Sequence, residues 1–465
     1  VKYNSVQPLK VQLMLMAHRH FKSEAKEGME EFVEFQKQRE SWLHPYTLFR
    51  LLIREYEGNT NWGEWRPEHQ SYPSAQRWLA RHPNRHGYEE LRDGYAFIQW
   101  IAWRQWTQVK AYAASKNVLL MGEISFGVSR CSADVWQHPE LFDHEWFVGS
   151  QPINFFDTNK DSERWGQNWG LPAYRWENHR STQFSWLKNR FEGARQFFHM
   201  CRIDHLRGYF RAYMFPWPGG PRHTEFSKLT EEAARQKTEG KLPRFVPAAD
   251  DDPVGSKMND LQGRELIQIM QQSAQEMYLI AEIMGELPVY MQKALDDLKL
   301  ANLTFPQLER NSDRSLHPLH SFRKLSLVTY ANHDHAPLAA YYLHLHEKAK
   351  ANPNGESAKD LEQLLKFAQW TKPAPENLSD ELLEALVRRL FQAPCQLAVL
   401  MSSDLFGILQ RFNLPGSYGA ETWSERLEFP LPEYSKHLVY KERIATAQRM
   451  IGESDRKPLT SLPAS

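Results

Sequence analysis

Residues 197–210 read FFHMCRIDHLRGYF, an apolar run that turns abruptly polar and crowds Arg202, Asp204, His205 and Arg207 into its second half. A short, bounded apolar run of this kind is the pattern of a buried strand. Here it delivers one carboxylate between two arginines. The pattern recurs along the chain: NVLLMGE (117–123) ends at Glu123, MYLIAE (277–282) at Glu282, LSLVTYANHD (325–334) at Asp334 and CQLAVLMSSD (395–404) at Asp404. Apolar runs separated by helix-like stretches predict βα units around a parallel sheet. Acids at the carboxyl ends of several such strands predict a (β/α)8 barrel, whose functional groups gather at that face. A doubly wound sheet is the competing architecture, but no glycine-rich phosphate loop follows any of these runs.

The totals narrow the function classes. A chain of 465 residues suffices for one large domain or for two or three smaller ones, and 41% hydrophobic with 25% charged residues is the balance of a soluble globular protein. Lys+Arg and Asp+Glu both number 57, so there is no net field to attract a phosphate backbone, which speaks against a nucleic-acid partner. Cys131, Cys201 and Cys395 are too scattered for a disulfide framework or a metal knuckle and read as reduced residues of a cytoplasmic protein. No stretch approaches the ~18 apolar residues of a membrane helix, and the opening 21 residues lack a signal-peptide core, so no membrane association is expected. The sequence carries no signal of oligomeric state.

Along the chain, 1–116 reads as a mostly helical region, 117–450 as barrel strands and their helices, and 451–465 as a poorly ordered tail. In LRDGYAFIQWIAWRQWTQVKAYAAS (91–115), Ile98, Ile101, Ala102 and Val109 fall on one helical face and are expected to pack into the core. RHPNRHGYEE (81–90), with Pro83 and Gly87, reads as a loop. The Pro-, Gly- and charge-rich stretch 214–260 breaks the βα rhythm and reads as a long insertion on the barrel's active face. AKANPNGESAKDLEQ (349–363) reads as an exposed connection between helices.

Several carboxylates at a barrel mouth suit glycoside chemistry, in which one attacks the anomeric carbon and another, kept protonated, serves the leaving oxygen. Arg202 lies two residues before Asp204, hence on the same side of a strand, and is expected to keep that carboxylate ionised and nucleophilic. A purely structural ion pair is the alternative. Glu282 follows MYLIA and precedes Ile283 and Met284, an apolar setting that favours the protonated form and so a general acid. Asp334 sits between His333 and His335, whose donors suit sugar hydroxyls. A His-Asp-His metal site is the alternative, although no further His or Cys cluster completes it.

RIDHLRGYF (202–210) resembles the Arg-Ile-Asp-His-Phe-Arg-Gly-Phe signature at the end of the fourth barrel strand of the 4-alpha-glucanotransferases, also called amylomaltases or disproportionating enzymes. These form glycoside hydrolase family 77 of the alpha-amylase clan. FIQWIAWRQW (97–106), SADVWQHPELF (132–142), RWGQNWGLPAYRW (164–176) and NLPGSYGAETWSERL (413–427) resemble family blocks in the family's order, so the likeness runs over nearly the whole chain. It implies a (β/α)8 TIM barrel of the alpha-amylase clan with helical insertions. Asp204 is then the nucleophile, Glu282 the acid/base, and Asp334 the carboxylate that distorts and holds the ring. Arg202 and His333 contact the nucleophile and the donor sugar, while His205, Trp169 and Asn413 count as further substrate-binding positions. The implied reaction moves α-1,4-glucan segments between malto-oligosaccharides, with glucose or another glucan as acceptor, and implies neither a cofactor nor a metal. A hydrolase or maltose transglucosylase of the same clan, and a non-catalytic glucan-binding protein or inactive fragment, are the alternatives.

The likeness also has departures. Val1 to Asn4 resemble a segment that follows the first two barrel strands, so those two strands are expected to be missing. GEISF (122–126) carries Glu123 and Ser125 where the family has Asp and Pro, AEIMG (281–285) has Ile283 in place of an acid, GSQPINFF (149–156) has Asn154 where Asp is common, and HDH (333–335) replaces His-Asp-Asn. Each such change is expected to retune substrate preference or the pKa of a site group without removing a catalytic carboxylate.

Overall fold

The computed structural model describes residues 2–24, 27–152, 164–217, 223–283, 285, 287–311, 313–415 and 422–456, so Asn154 and most of the tail lie outside the described residues. The chain divides into two compact units, Tyr3–Met277 and Tyr278–Ser465, the latter together with Val1–Lys2.

The first unit opens with helices Tyr3–Glu24, Met29–Gln38, Glu40–Glu55, Tyr72–Arg81 and Arg85–Ser115. Its strands are β1 (Met121–Ile124), β2 (Phe142–Ser150), β3 (Gln167–Tyr174), β4 (Met200–Ile203), β5 (Ala212–Pro216) and β6 (Arg244–Val246). β1 and β4 pair in parallel, Met121 opposite Met200 and Glu123 opposite Arg202. All of β4 is buried, Arg202 included, which is why the run does not alternate and that arginine alone interrupts it. The helix Pro253–Ala274 starts where Asp252 accepts hydrogen bonds from the amides of Val254 (2.7 Å) and Gly255 (2.9 Å), with Pro253 in the first turn.

In the second unit, β7 (Tyr278–Ala281), β8 (Ala301–Thr304), β9 (Ser326–Val328) and β10 (Leu397–Ala398) pair side by side, all parallel. The core behind them joins Val328 and Tyr330 to Leu338, Tyr342 and Leu345 and to Leu382, Leu386 and Leu390 of the helix Asp380–Gln392. Ser379 caps that helix by accepting from the Leu382 amide at 3.3 Å, and Asp380 and Glu381 complement the positive end of its dipole.

Four readings need correction. β8 was not foreseen, because its run ends on Thr304 and Phe305 rather than on an acid. The stretch 214–260 is no mere insertion: β5 and β6 join β2 and β3 in an antiparallel sheet ordered β3-β2-β5-β6, so the structural excursion starts as early as Phe142. The loop at 81–90 is shorter than read, since the helix begins at Arg85 and includes Gly87. In that helix the buried face runs through Tyr95, Phe97 and Trp100, whereas Ala102 and Val109 are exposed. The large rings win that face because Phe97 and Trp100 pack on Phe32, Phe35 and Leu43, where aromatic area gains most from burial. Among the described residues the parallel strands number two in the first unit and four in the second, so the eight of a full barrel are not all among them. No helix among those residues is long and apolar enough to cross a membrane.

Candidate active site

Asp204 directly follows β4, and its amide donates to Ile124 O at 3.1 Å, carrying the ladder with β1 one residue further. The strand register therefore fixes its backbone. Its Oδ1 lies 3.2 Å from Nη2 of Arg202, and its Oδ2 accepts from the Phe126 amide at 3.1 Å. Arg202 is 5% exposed and also reaches Glu123 Oε1 at 2.9 Å. The guanidinium fork thus holds two carboxylates from inside the protein, an arrangement lysine's single ammonium would not reproduce.

Phe126 is itself pinned. Its carbonyl accepts a short hydrogen bond from the Tyr174 hydroxyl, and Arg190 Nη2 donates to the neighbouring Ser125 carbonyl at 2.9 Å. Burial pushes the Tyr174 hydroxyl up to about 12, so it stays protonated and remains a donor. His205 adopts a left-handed backbone, φ 45°, and packs between Phe126 and Trp169, with ring centroids at 5.4 and 4.9 Å. Burial lowers its imidazole to about 4; the Asp204 charge opposes that shift and Arg207 adds to it. It is therefore neutral at neutral pH. Trp169, on β3, has its indole N–H 3.4 Å from Gln167 Oε1.

In the second unit, Glu282 directly follows β7 and is 7% exposed. Asp334 lies in the turn after β9, and because β7, β8 and β9 are parallel, both acids leave the carboxyl edge of one sheet. Asn332 shapes that turn: its Oδ1 accepts from the Asp334 amide at 2.9 Å and contacts His335 Nδ1 at 2.7 Å. His333 Nε2 lies 3.2 Å from Asp334 Oδ2, and Asn413 Nδ2 donates to Oδ1 at 3.2 Å. Arg411 binds the Asp334 carbonyl at 2.8 Å through Nη2 and the Asn413 carbonyl at 2.7 Å through Nε. Thr422 donates to Asn413 Oδ1 at 2.7 Å, and the Trp423 ring lies 5.4 Å from that of His333.

The two histidines beside Asp334 thus diverge, since His333 meets the carboxylate while His335 meets Asn332 and lies 4.5 Å from the Phe305 ring. Among the described residues no group of three or more His, Cys, Asp or Glu could hold a metal ion. Asp404 departs from the strand-end pattern altogether: it sits within the helix Ser402–Phe406, fully buried, and accepts from the Leu338 amide at 2.6 Å. The structure gathers Arg202, Asp204, His205 and Trp169 in the first unit, and His333, Asp334 and Asn413 in the second. Phe126, Tyr174, Arg411, Thr422 and Trp423 were not singled out from the sequence. Of these, Tyr174, Thr422 and Trp423 belong to blocks that were recognised and Phe126 to the GEISF stretch, but Phe126 and Tyr174 act through their backbone or hydroxyl and leave no charge pattern to read.

A family model described as 4-alpha-glucanotransferase matches residues 1–431. The chain is similar to the 4-alpha-glucanotransferase of Chlamydia pneumoniae, 26% identical over 437 residues that cover 90% of this chain and 72% of the relative. It is also similar to that of Thermus thermophilus, 32% identical over 46% of this chain and 44% of the relative. Among solved structures, an amylomaltase from Streptococcus agalactiae in complex with acarbose superposes with a TM-score of 0.72 at 18% identity, over 98% of this chain and 80% of that one. An amylomaltase from Corynebacterium glutamicum gives 0.67 at 19% identity, over 93% of this chain and 58% of that one. These likenesses establish the fold as that of amylomaltases, the barrel class expected from the sequence.

Proposed function

The chain belongs to the 4-alpha-glucanotransferase family, and from that premise we propose that it transfers α-1,4-glucan segments between malto-oligosaccharides in the cytoplasm, by retaining double displacement. Asp204 attacks the anomeric carbon of the donor sugar while the bond from that carbon to O4 of the leaving glucan breaks. Glu282 gives its proton to that oxygen. A covalent glucosyl-enzyme results. Glu282, now a carboxylate, takes the proton of an acceptor's 4-hydroxyl as that oxygen displaces Asp204, restoring both groups. Asp334, steadied by Asn413 and His333, grips the ring in its distorted form, while neutral His205 and Trp169 offer a donor and a ring face to the sugar.

The observation that carries this reading is the double hold on Asp204 at the end of a buried parallel strand, one oxygen on Arg202 and the other on the Phe126 amide. Such a carboxylate is aimed before substrate arrives, which is what in-line attack requires. Incubating the protein with maltotriose and separating products by chain length tests the proposal. Longer oligosaccharides together with glucose are the expected result; maltose and glucose alone would mean hydrolysis, and no product from folded protein would mean a binding role.

A further inference from the structure

We propose that Asp404 is a positioning residue for Asp334: by fixing the start of the helix Leu338–Ala351 it fixes the turn that presents the Asp334 carboxylate. Leu338 opens that helix four residues after Asp334, and its amide is one of the first-turn donors that no helical carbonyl can satisfy. Asp404 Oδ1 accepts it at 2.6 Å from a position with no solvent exposure. The helix has no side-chain cap of its own, its preceding residue being Pro337. The bond therefore comes from a distant segment, and that segment holds the same turn at two further points.

Asp404, Arg411 and Asn413 all lie on one stretch, 402–413, and bind the Leu338 amide, the Asp334 carbonyl and Asp334 Oδ1 respectively. The stretch is stiffened by Ser403, whose hydroxyl donates to the Gln410 carbonyl at 2.8 Å, and by Gly407 in the left-handed conformation. Arg411 and Asn413 touch the proposed catalytic residue directly, whereas the Asp404 bond reaches the backbone of the helix that follows it. Asp404 Oδ2 meets no hydrogen-bond partner among the described residues, an arrangement that costs stability and so points to a role other than packing. Burial pushes this carboxyl up to about 7, the Leu338 amide pulling the other way. An uncharged acceptor of the same shape is thus a fair substitute.

The inference rests on the reading of Asp334 as one of the reacting carboxylates, and its test separates the two. Asp404→Leu, Asp404→Asn and the unmutated protein are compared by transfer kinetics on maltotriose and by amide hydrogen exchange over residues 332–338. Asp404→Leu is expected to lower kcat by about 10- to 100-fold with KM little changed, since a small misplacement of a reacting group costs that much. Exchange across the turn speeds up in the same variant, and Asn restores both. Should Asp404→Leu fail to fold, Asp404→Ala removes the acceptor with a side chain too small to clash, and is expected to give the same kcat loss. Unchanged exchange at 332–338, or a loss that Asn does not rescue and that moves KM and kcat together, would overturn the role of Asp404. Absence of transfer by the unmutated protein would instead overturn the functional reading, leaving the exchange comparison to judge Asp404 by itself.

Discussion

The surroundings of Asp204 and Asp334 differ in how far the chain travels to build them. Asp204 is held by Arg202, two residues earlier and itself bound to Glu123 of the neighbouring strand, and by the Phe126 amide just beyond that strand, so pairing β1 with β4 completes most of the arrangement. Asp334 is held by Arg411 and Asn413, roughly eighty positions downstream as their 77- and 79-residue separations show, and by helix-start chemistry from Asp404. The first surroundings are ionic and centred on the buried Arg202; the second are built from an amide side chain, an imidazole and a guanidinium on a backbone carbonyl. A charge held by strand register is fixed as soon as the sheet forms, whereas an orientation held by a distant segment depends on how that segment docks. Changes to the first should therefore strike charge and stability together, and changes to the second should strike geometry alone.

The largest expected effect is on Asp204 itself. Asp204→Asn should reduce transfer by about 10⁴-fold or more, as removing a covalent nucleophile does elsewhere, while malto-oligosaccharide binding followed by calorimetry persists. Retained turnover would break the comparison at its root. Arg202→Met comes next: it leaves Glu123 and Asp204 facing one another without their shared cation and should cost about 1.5–3 kcal/mol in chemical denaturation, along with most activity. Adding Asp204→Asn to that variant should recover part of the stability, because the two sites are coupled; simple additivity would show that the ion pair is incidental.

In the second surroundings, Asn413→Ala removes one hydrogen bond from Asp334. A loss near 1 kcal/mol, roughly fivefold in kcat, is expected with an unshifted melting temperature. A large drop in melting temperature would show that this side is structural after all. The smallest effect at neutral pH belongs to His205. Its folded pKa, about 4, lies below the ordinary 6.5, so the unfolded chain takes up the proton first as pH falls. Its contribution to stability is complete above about pH 6.5 and is lost as pH falls through about 4. Melting curves between these values should be flatter for His205→Asn, a residue that tolerates the left-handed backbone at this position.

The same contrast explains what could be read from the sequence. β4 and β7 were legible because strands buried on both faces leave mostly apolar, non-alternating runs, and Arg202 with Asp204 was legible because their spacing matches the strand period. β8 escaped because LANLTFP (300–306) ends on no acid and so lacks the mark that the other runs carry. The antiparallel sheet escaped because the prolines and glycines of 216–221 read as loop, although β5 runs as far as Pro216. Asp404 looked like one more strand-end acid; its partner, the Leu338 amide, is a backbone group that any residue could have offered. Asn413 was reachable through resemblance alone, since nothing local ties it to a carboxylate that lies 79 positions away.

The most direct test of the account is to trap the intermediate. Glu282→Gln, given an activated malto-oligosaccharyl fluoride that needs no acid to leave, should form the glucosyl-enzyme and resolve it slowly. Digestion and mass spectrometry should then find the glycosyl adduct on Asp204. An adduct on any other residue, or turnover of the fluoride with no adduct on Asp204 at any time point, would contradict the assignment of the nucleophile.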